Sequence, residues 1–306
     1  MKKIAGGIYP TMITPYKNGN IDFEAVGKLV DWYIENGCTG IFAVCQSSEM
    51  VYLSLEERVR LAEAVVKAAD GRINVVASGH ISNSLDAQVE EINEISKTGI
   101  DAFVLVTNRF DLHNDGDDVW ISNAEKVLDR INPDMPLGIY ECPVPYKRLL
   151  TERILKWCLK TGRFKFIKDT CCSPDMISAR MKLLRGTDLM LFNANEQTFL
   201  YSLKEGAAGY SGIMANYHPD ILAWLYNNFD KEPELANTVS NFLSMEAFTE
   251  NPAYPCTAKY YHQLDGIPME TFARSCDEKR LTDYQKLIVE QMVEFHKDLR
   301  KIIGGN

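Results

Sequence analysis

The stretch Phe164-Lys165-Phe166-Ile167-Lys168-Asp169-Thr170 is a short β-type run that ends in polar side chains. Period-2 alternation places Phe164, Phe166 and Lys168 on one face of the predicted strand. A desolvated lysine at a strand end loses its proton more readily than one in water, and the neutral amine can attack a carbonyl carbon. Lys168 is therefore a candidate nucleophile, although most lysines near strands are solvated edge residues.

Similar β-type runs alternate with segments of helical period along the first two thirds of the chain. Their spacing of roughly 30 residues is typical of βαβ units. The predicted strands cover residues 7–14, 40–45, 73–78, 102–107, 137–142, 164–168, 189–193 and 209–215. The predicted helices between them include residues 22–35, 54–69, 84–98 and 120–131. Eight such units predict an α/β fold, a (β/α)8 TIM barrel. A doubly wound open sheet is the alternative, disfavoured by the number of units and by the lack of a Gly-x-Gly-x-x-Gly turn.

The strand pattern stops after about Tyr217, and the rest of the chain reads as helices. The predicted helices cover residues 219–228, 232–248 and 258–263, with a long tail from Thr282. Apolar residues recur along one face of that tail: Tyr284, Leu287, Ile288, Met292, Phe295, Leu299 and Ile302. We therefore predict a catalytic barrel over residues 1–217 and a helical C-terminal region, 218–306, packed on it. The tail's apolar face is interpreted as core packing, with a subunit interface as the alternative.

Composition narrows the classes of partner and the compartment. The 306 residues carry a net charge of −9, which argues against nucleic acid or an anionic membrane as partners. The eight cysteines include no Cys-x-x-Cys pair, so a reducing cytoplasm is expected. The start of the chain lacks the apolar segment of a secretory signal, and no stretch approaches the length of a membrane span.

Three predicted strands end in chemically active side chains. In a (β/α)8 barrel the catalytic groups come from the carboxyl ends of different strands. The three strand ends read Cys45-Gln46-Ser47-Ser48-Glu49, Tyr140-Glu141-Cys142-Pro143 and Lys168-Asp169-Thr170. If the faces that carry Tyr140 and Lys168 both point inward, these two residues are cross-strand neighbours beside the barrel mouth.

At these residues the chain resembles the pyruvate-dependent class I aldolases typified by dihydrodipicolinate synthase and N-acetylneuraminate lyase. The resemblance covers nearly the whole chain, and its five motifs occur in the right order and spacing. In chain order they are Gly7-Ile8-Tyr9-Pro10-Thr11-Met12-Ile13-Thr14-Pro15-Tyr16, Gln46-Ser47-Ser48-Glu49, Tyr140-x-x-Pro143, Ile167-Lys168-Asp169-Thr170 and Gly209-Tyr210-Ser211-Gly212-Ile213-Met214-Ala215-Asn216.

The resemblance implies a role for each matching residue. Lys168 would form a Schiff base with the keto group of pyruvate, and Tyr140 would move protons at that site. The Ser47 hydroxyl and neighbouring backbone N–H groups would hold the pyruvate carboxylate. Further substrate-binding candidates are Gln46, Ser48, Ser211, Glu196 and Arg109.

The chain departs from the family pattern at three positions. Gln46 stands where the family loop commonly carries a hydroxyl, and an amide does not pass a proton as a hydroxyl does. Phe110 stands in a stretch where many members carry a tyrosine pair that completes a proton relay across a subunit interface. Pro145 stands where the synthase has an arginine that binds the carboxylate of its second substrate. These changes weigh against dihydrodipicolinate synthase proper and favour a polyhydroxylated or otherwise non-carboxylated aldehyde.

We therefore expect a Schiff-base lyase or aldolase that joins pyruvate or another 2-keto acid to an aldehyde, or releases it from a 2-keto-3-deoxy sugar acid. A sugar-acid dehydratase, dihydrodipicolinate synthase proper and a non-catalytic keto-acid-binding protein remain alternatives. We expect neither a metal nor an organic cofactor, since the five histidines form no ligand motif. Family members are often dimers or dimers of dimers, so a homodimer or homotetramer is expected.

Overall fold

A computed structural model describes residues 3–249 and 252–304. The described residues form ten strands: β1 (Gly7–Ile8), β2 (Tyr16–Lys17), β3 (Asn20–Ile21), β4 (Gly40–Phe42), β5 (Asn74–Ala77), β6 (Ala102–Val106), β7 (Leu137–Tyr140), β8 (Phe164–Asp169), β9 (Met190–Asn193) and β10 (Gly209–Tyr210). Strands β2 and β3 form a small antiparallel hairpin that the sequence pattern did not predict. The other eight strands belong to one parallel sheet and correspond to the eight predicted runs.

The parallel sheet curls into a barrel. Its strand order is β1-β10-β9-β8-β7-β6-β5-β4, so consecutive strands along the chain are neighbours in space. A parallel bridge between Thr11 and Phe42 joins the two ends of this order. The predicted (β/α)8 barrel is thereby confirmed, and the doubly wound alternative is excluded.

The first and last barrel strands are much shorter than predicted. β1 stops at Ile8, two residues before Pro10, which has no N–H to donate to a ladder. After β10 the chain turns into a 3₁₀ helix over Ile213–Asn216. These two ends therefore provide irregular backbone at the mouth of the barrel, where the prediction placed regular strand.

Helices pack around and beyond the barrel. In the described residues they are α1 (Phe23–Glu35), α2 (Leu55–Ala69), α3 (Leu85–Ser96), α4 (Asp117–Leu128), α5 (Glu152–Thr161), α6 (Pro174–Leu184), α7 (Glu196–Lys204), α8 (Pro219–Asn228), α9 (Pro233–Glu246), α10 (Cys256–Leu264) and α11 (Asp283–Ile302). A capping box begins α2, because Ser54 and Glu57 cap each other's backbone N–H groups. The C-terminal helical region is confirmed, and the domain boundary at residue 217 remains a prediction.

Aromatic rings fill the barrel interior. Phe166 stacks on Phe192 at 4.5 Å between ring centroids, and Tyr9 meets Phe192 edge-on at 4.8 Å. The Tyr9 ring passes so close to Gly40 that a Cβ at that position would lie 2.0 Å from the ring, so only glycine fits there. Phe42 completes this layer beside Phe166. The layer forms a dry floor beneath the strand ends, because every one of these side chains is buried.

The apolar face predicted along the C-terminal tail is only half buried in helix α11. Met292 and Leu299 pack inward, as predicted. Tyr284, Leu287, Phe295 and Ile302 are exposed instead, which corrects the single-face interpretation. The inward face is completed by residues the prediction omitted, Val289 and His296. None of the helices formed by residues 3–249 and 252–304 has the length and hydrophobicity of a membrane span.

Candidate active site

A cavity of about 490 Å³ opens at the carboxyl ends of the barrel strands. It is lined by side chains from three predicted strand ends, among them Gln46, Ser47, Tyr140 and Lys168. The tertiary structure thus brings together four of the residues singled out from the sequence. Their segments lie far apart in the chain and meet because the strands end at the same rim of the barrel.

Lys168 is buried in the cavity wall, with 5% of its surface exposed. It lies on β8 directly opposite Tyr140 on β7, as the alternation pattern predicts. Its Nζ is 4.5 Å from the centre of the Tyr140 ring and 5.8 Å from that of Phe42. Aromatic faces stabilise a cation, so the two rings help to hold the Lys168 side chain in the cavity wall.

Tyr140 and Cys142 donate hydrogen bonds to one acceptor, the Oε1 of Gln46, at 3.3 and 3.4 Å. Burial raises the pKa of Tyr140 well above its ordinary value, so its phenol keeps its proton at neutral pH. Burial also raises the pKa of the Cys142 thiol, which is therefore a wall of the cavity rather than a reactive thiolate. The amide at Gln46 fixes the Tyr140 hydroxyl where the family pattern has a hydroxyl partner.

Ser47 belongs to a second group of hydroxyls in the same cavity. Its Oγ donates to Thr11 Oγ1 at 3.1 Å, and the cavity is also lined by Tyr254 with its hydroxyl. Asn216 donates to that same tyrosine hydroxyl at 3.2 Å. Sequence reasoning missed Tyr254, which reaches the cavity from the irregular segment before α10. The only local signal was a Tyr254-Pro255 pair inside an otherwise helical region.

Two of the predicted substrate-binding serines do not line the cavity. Ser48 is fully buried, and its hydroxyl donates to the carbonyl oxygens of Met12 and Ala43 while it accepts from Cys45 N–H. Those bonds hold the turn after β4 in shape. Ser211 is fully buried too, with a hydroxyl that has no hydrogen-bond partner among the described residues.

Glu196 and Arg109 also lie outside the cavity lining. Glu196 is buried and accepts a hydrogen bond from the Tyr210 hydroxyl, and burial raises the pKa of its carboxyl group. The Arg109 guanidinium donates to the Ile81 carbonyl at 3.0 Å and to Asn108 Oδ1 at 3.0 Å. Both side chains are occupied by the protein's own groups, so a role in binding substrate remains a prediction for each.

The departures from the family pattern also have structural partners. Phe110 is buried and packs edge-on against Trp120, with His80 on its other flank. Arg148, the arginine nearest in the chain to Pro145, is buried and pairs with Asp111 at 2.8 Å and Asp117 at 3.0 Å. Neither Phe110 nor Arg148 therefore reaches the cavity.

Glu49 anchors the polar turn after β4 to the C-terminal region. It is buried in left-handed backbone conformation and pairs with the fully buried Lys259 of α10 at 3.2 Å. Its other oxygen accepts the backbone N–H groups of Arg274 and Ser275 at 2.6 and 2.8 Å. The C-terminal helices thus fix the turn that carries Gln46 and Ser47.

We expect Lys259→Met to lower the free energy of unfolding by about 2–3 kcal/mol. The change leaves the buried Glu49 carboxylate without its counter-ion but with its two backbone N–H donors. The loss is therefore smaller than for a buried carboxylate that has neither a counter-ion nor hydrogen-bond donors. Urea titration of both proteins measures the loss. The matched control is Lys297→Met, whose pair with Glu294 is exposed and should contribute about 0–1 kcal/mol. Equal losses in the two variants would contradict the anchoring role of Glu49.

A buried ion-pair network lies behind the two central site residues. Arg180 on α6 bonds to Glu141 at 2.6 Å and to Asp169, the residues that directly follow Tyr140 and Lys168. Burial raises the pKa of Glu141 even beside this arginine. Because Tyr140 and Lys168 are each one residue away from an arginine-bound carboxylate, the network fixes the backbone at both positions.

Among the described residues, no group of three or more histidine, cysteine or acidic side chains is arranged to hold a metal ion. The chemistry of the cavity is instead that of an amine beside hydroxyl and amide groups. The fold and the site together define a (β/α)8 barrel protein with a buried lysine at the carboxyl ends of its strands, which is where such barrels carry their active sites. The Dihydrodipicolinate synthetase family model matches residues 4–292, so the chain belongs to that family, a class of pyruvate-dependent Schiff-base aldolases.

Individual relatives agree with this family. The chain is 28% identical over 217 residues to the 4-hydroxy-tetrahydrodipicolinate synthase of Jannaschia sp. (strain CCS1). The matched segment covers 71% of this chain and 72% of that protein. A sialic acid aldolase from Ruminococcus gnavus has a similar fold, with a TM-score of 0.86, 19% identity and 97% of both chains covered. YagE from E. coli K12, solved in complex with pyruvate, has a TM-score of 0.85 at 20% identity and covers 95% of this chain and 98% of its own.

Proposed function

We propose that this protein is a Schiff-base lyase or aldolase that joins pyruvate to an aldehyde, or releases pyruvate from the corresponding aldol product. Lys168 is the amine, Tyr140 the proton donor and acceptor, and Ser47 a binder of the pyruvate carboxylate. The observation that carries the proposal is the pairing of buried Lys168 with Tyr140 across β7 and β8. Membership of a pyruvate-dependent family supplies the substrate.

In the proposed reaction the neutral Lys168 amine adds to the keto carbon of pyruvate, and the adduct takes up a proton and loses water to give an iminium ion. The iminium withdraws electrons, so the methyl group derived from pyruvate loses a proton and the adduct becomes an enamine. The enamine carbon attacks the aldehyde carbon, and the aldehyde oxygen takes up a proton. Water then hydrolyses the iminium to release a 4-hydroxy-2-keto acid and restore the lysine. The reverse sequence cleaves the same carbon–carbon bond.

Tyr140 is suited to the proton transfers. Its ring lies against the Lys168 amine, so the positive charge of the iminium would form beside a phenol whose pKa burial keeps high. A nearby cation lowers the pKa of a phenol and makes its proton easier to pass on. Gln46 then orients the hydroxyl through its 3.3 Å hydrogen bond.

Tyr140→Phe is expected to lower kcat about a hundredfold while leaving the fold intact. The substitution removes only the hydroxyl, and the ring can still pack beside Lys168. Steady-state kinetics with pyruvate and an aldehyde measure the loss. The control is Tyr284→Phe, which removes an exposed hydroxyl on α11 and should not alter kcat. A Tyr140→Phe enzyme with normal turnover would remove Tyr140 from the mechanism.

Reductive trapping tests the proposed function directly. Borohydride added in the presence of pyruvate should reduce the iminium to a stable secondary amine on the protein. Intact-mass measurement should then reveal one pyruvate adduct per chain, and peptide mapping should assign it to Lys168. A protein that acquires no adduct under these conditions is not a Schiff-base enzyme of this kind.

Other sequence predictions stand unchanged as proposals. A cytoplasmic location, independence of metals and organic cofactors, and assembly as a homodimer or homotetramer remain predictions. The exposed apolar residues Tyr284, Leu287, Phe295 and Ile302 of α11 are consistent with an interface between copies. Size-exclusion chromatography with light scattering measures the assembly state.

A further inference from the structure

We infer that the second substrate is an uncharged aldehyde with an apolar aliphatic or aromatic body. The inference rests on the proposed function and assigns the class of partner that the enamine attacks. The sequence favoured a polyhydroxylated or otherwise non-carboxylated aldehyde, and the inference selects an apolar partner from the second of these groups. The reason lies in the lining of the cavity, which only the tertiary structure reveals.

Lys168 is the one formally charged side chain among the described residues that line the cavity. In the proposed reaction the Lys168 nitrogen becomes part of the iminium, so Lys168 does not serve as a separate cation for binding a second carboxylate. Three charged side chains outside the lining are bonded within the protein: Arg109 to the Ile81 carbonyl and Asn108 Oδ1, Arg148 to aspartates, and Glu196 to Tyr210. A second carboxylate would therefore find no further cationic partner in the cavity lining, and burying an unpaired charge is unfavourable.

Two of the polar side chains that line the cavity already bond within the protein. The Gln46 Oε1 accepts from Tyr140 and Cys142. The Thr170 hydroxyl donates to the carbonyl oxygen of Glu141 at 2.8 Å. A polyol that reached these two groups would have to break their bonds to replace its own hydration, and a substrate hydroxyl that finds no new partner adds little to binding.

Apolar side chains, by contrast, stand exposed at the mouth. Val51 and Val144 line the cavity with 52% and 48% of their surfaces exposed. They come from two different segments, after β4 and after β7, and Met50, Pro143 and Ile213 extend the same apolar wall. Covering these side chains with an apolar ligand removes them from water, which is the main source of affinity in small-molecule sites.

A panel of aldehydes tests the inference with the wild-type chain and pyruvate. Benzaldehyde and hexanal represent the apolar class, erythrose the polyols and succinic semialdehyde the carboxylated class. Pyruvate consumption should give a kcat/KM at least about tenfold higher for the apolar class. The inference is wrong if erythrose or succinic semialdehyde is preferred by a factor of that size. It is also wrong if the protein forms the Lys168 adduct but turns over no aldehyde.

Rim variants provide the second arm. Val144→Arg and Val51→Arg each place a cation at the mouth and should raise kcat/KM for succinic semialdehyde about tenfold while lowering that for benzaldehyde. Val119→Arg is the matched control, since this exposed valine of α4 lies outside the lining. Rim variants indistinguishable from Val119→Arg would contradict the inference.

The trapping experiment separates the two levels of the proposal. If pyruvate forms no adduct on Lys168, the proposed function fails before any aldehyde is considered. If the adduct forms and a hydroxylated or carboxylated aldehyde is preferred, the proposed function stands and only the assignment of the aldehyde class is wrong.

Discussion

Lys168→Ala is expected to lower turnover by at least about four orders of magnitude and to abolish the pyruvate adduct. The substitution removes the amine that carries the covalent intermediate, and loss of a nucleophile eliminates the whole reaction path rather than slowing one step. The truncation leaves a small cavity beside Tyr140 and Phe42, which the fold should tolerate. Kinetics and borohydride trapping measure the two effects on the same preparation.

The control for this experiment lies on the same strand. Lys165 is three residues earlier on β8, is partly exposed and pairs with Asp188 at 3.3 Å. Lys165→Ala should retain both turnover and the adduct. A Lys168→Ala protein that still acquires one pyruvate per chain after reduction would show that another lysine is the nucleophile.

Arg180→Met is expected to lower the free energy of unfolding by about 3–5 kcal/mol at neutral pH. The side chain is 3% exposed and bonds to two buried carboxylates, those of Glu141 and Asp169. Removing one member of a buried ion-pair network leaves uncompensated charge in a poorly solvated place. Since these carboxylates directly follow Tyr140 and Lys168, kcat should fall as well.

The loss of stability in Arg180→Met should depend on pH in a defined direction. Burial already raises the pKa of Glu141 in the folded protein, and the arginine opposes that shift. Without the arginine the folded pKa rises further above the unfolded value of about 4.3, so the folded variant holds protons that the unfolded chain releases. Its stability relative to wild type is therefore least impaired near pH 4 and declines as pH rises towards 8.

Thermal unfolding of wild type and variant at pH 4, 6 and 8 checks both the size and the direction of this effect. Arg60→Met is the control, because Arg60 is an exposed residue of α2 with a long contact to Glu56. An Arg180→Met deficit that shrinks as the pH rises would mean that Arg180 does not lower the pKa of Glu141.

Local pattern was sufficient to locate the barrel strands and the central pair. Alternation of side chains along a strand has a period of two, so it determines which residues share a face without reference to the rest of the fold. That is why Lys168 and Tyr140 were predicted to be neighbours and are found opposite each other. The strand ends at β1 and β10 were predicted less well, because prolines and tight turns there override the pattern.

By itself the sequence determined the barrel, the order of its strands and the segments that meet at its rim. Only the tertiary structure decided which polar side chains at the rim are open to a ligand. Ser48 and Glu196 are bonded inside the protein, whereas Tyr254 enters the cavity from a segment more than a hundred residues away from Tyr140 along the chain. Periodicity assigns a residue to a face, but hydrogen-bond competition and long-range packing decide what that face contacts.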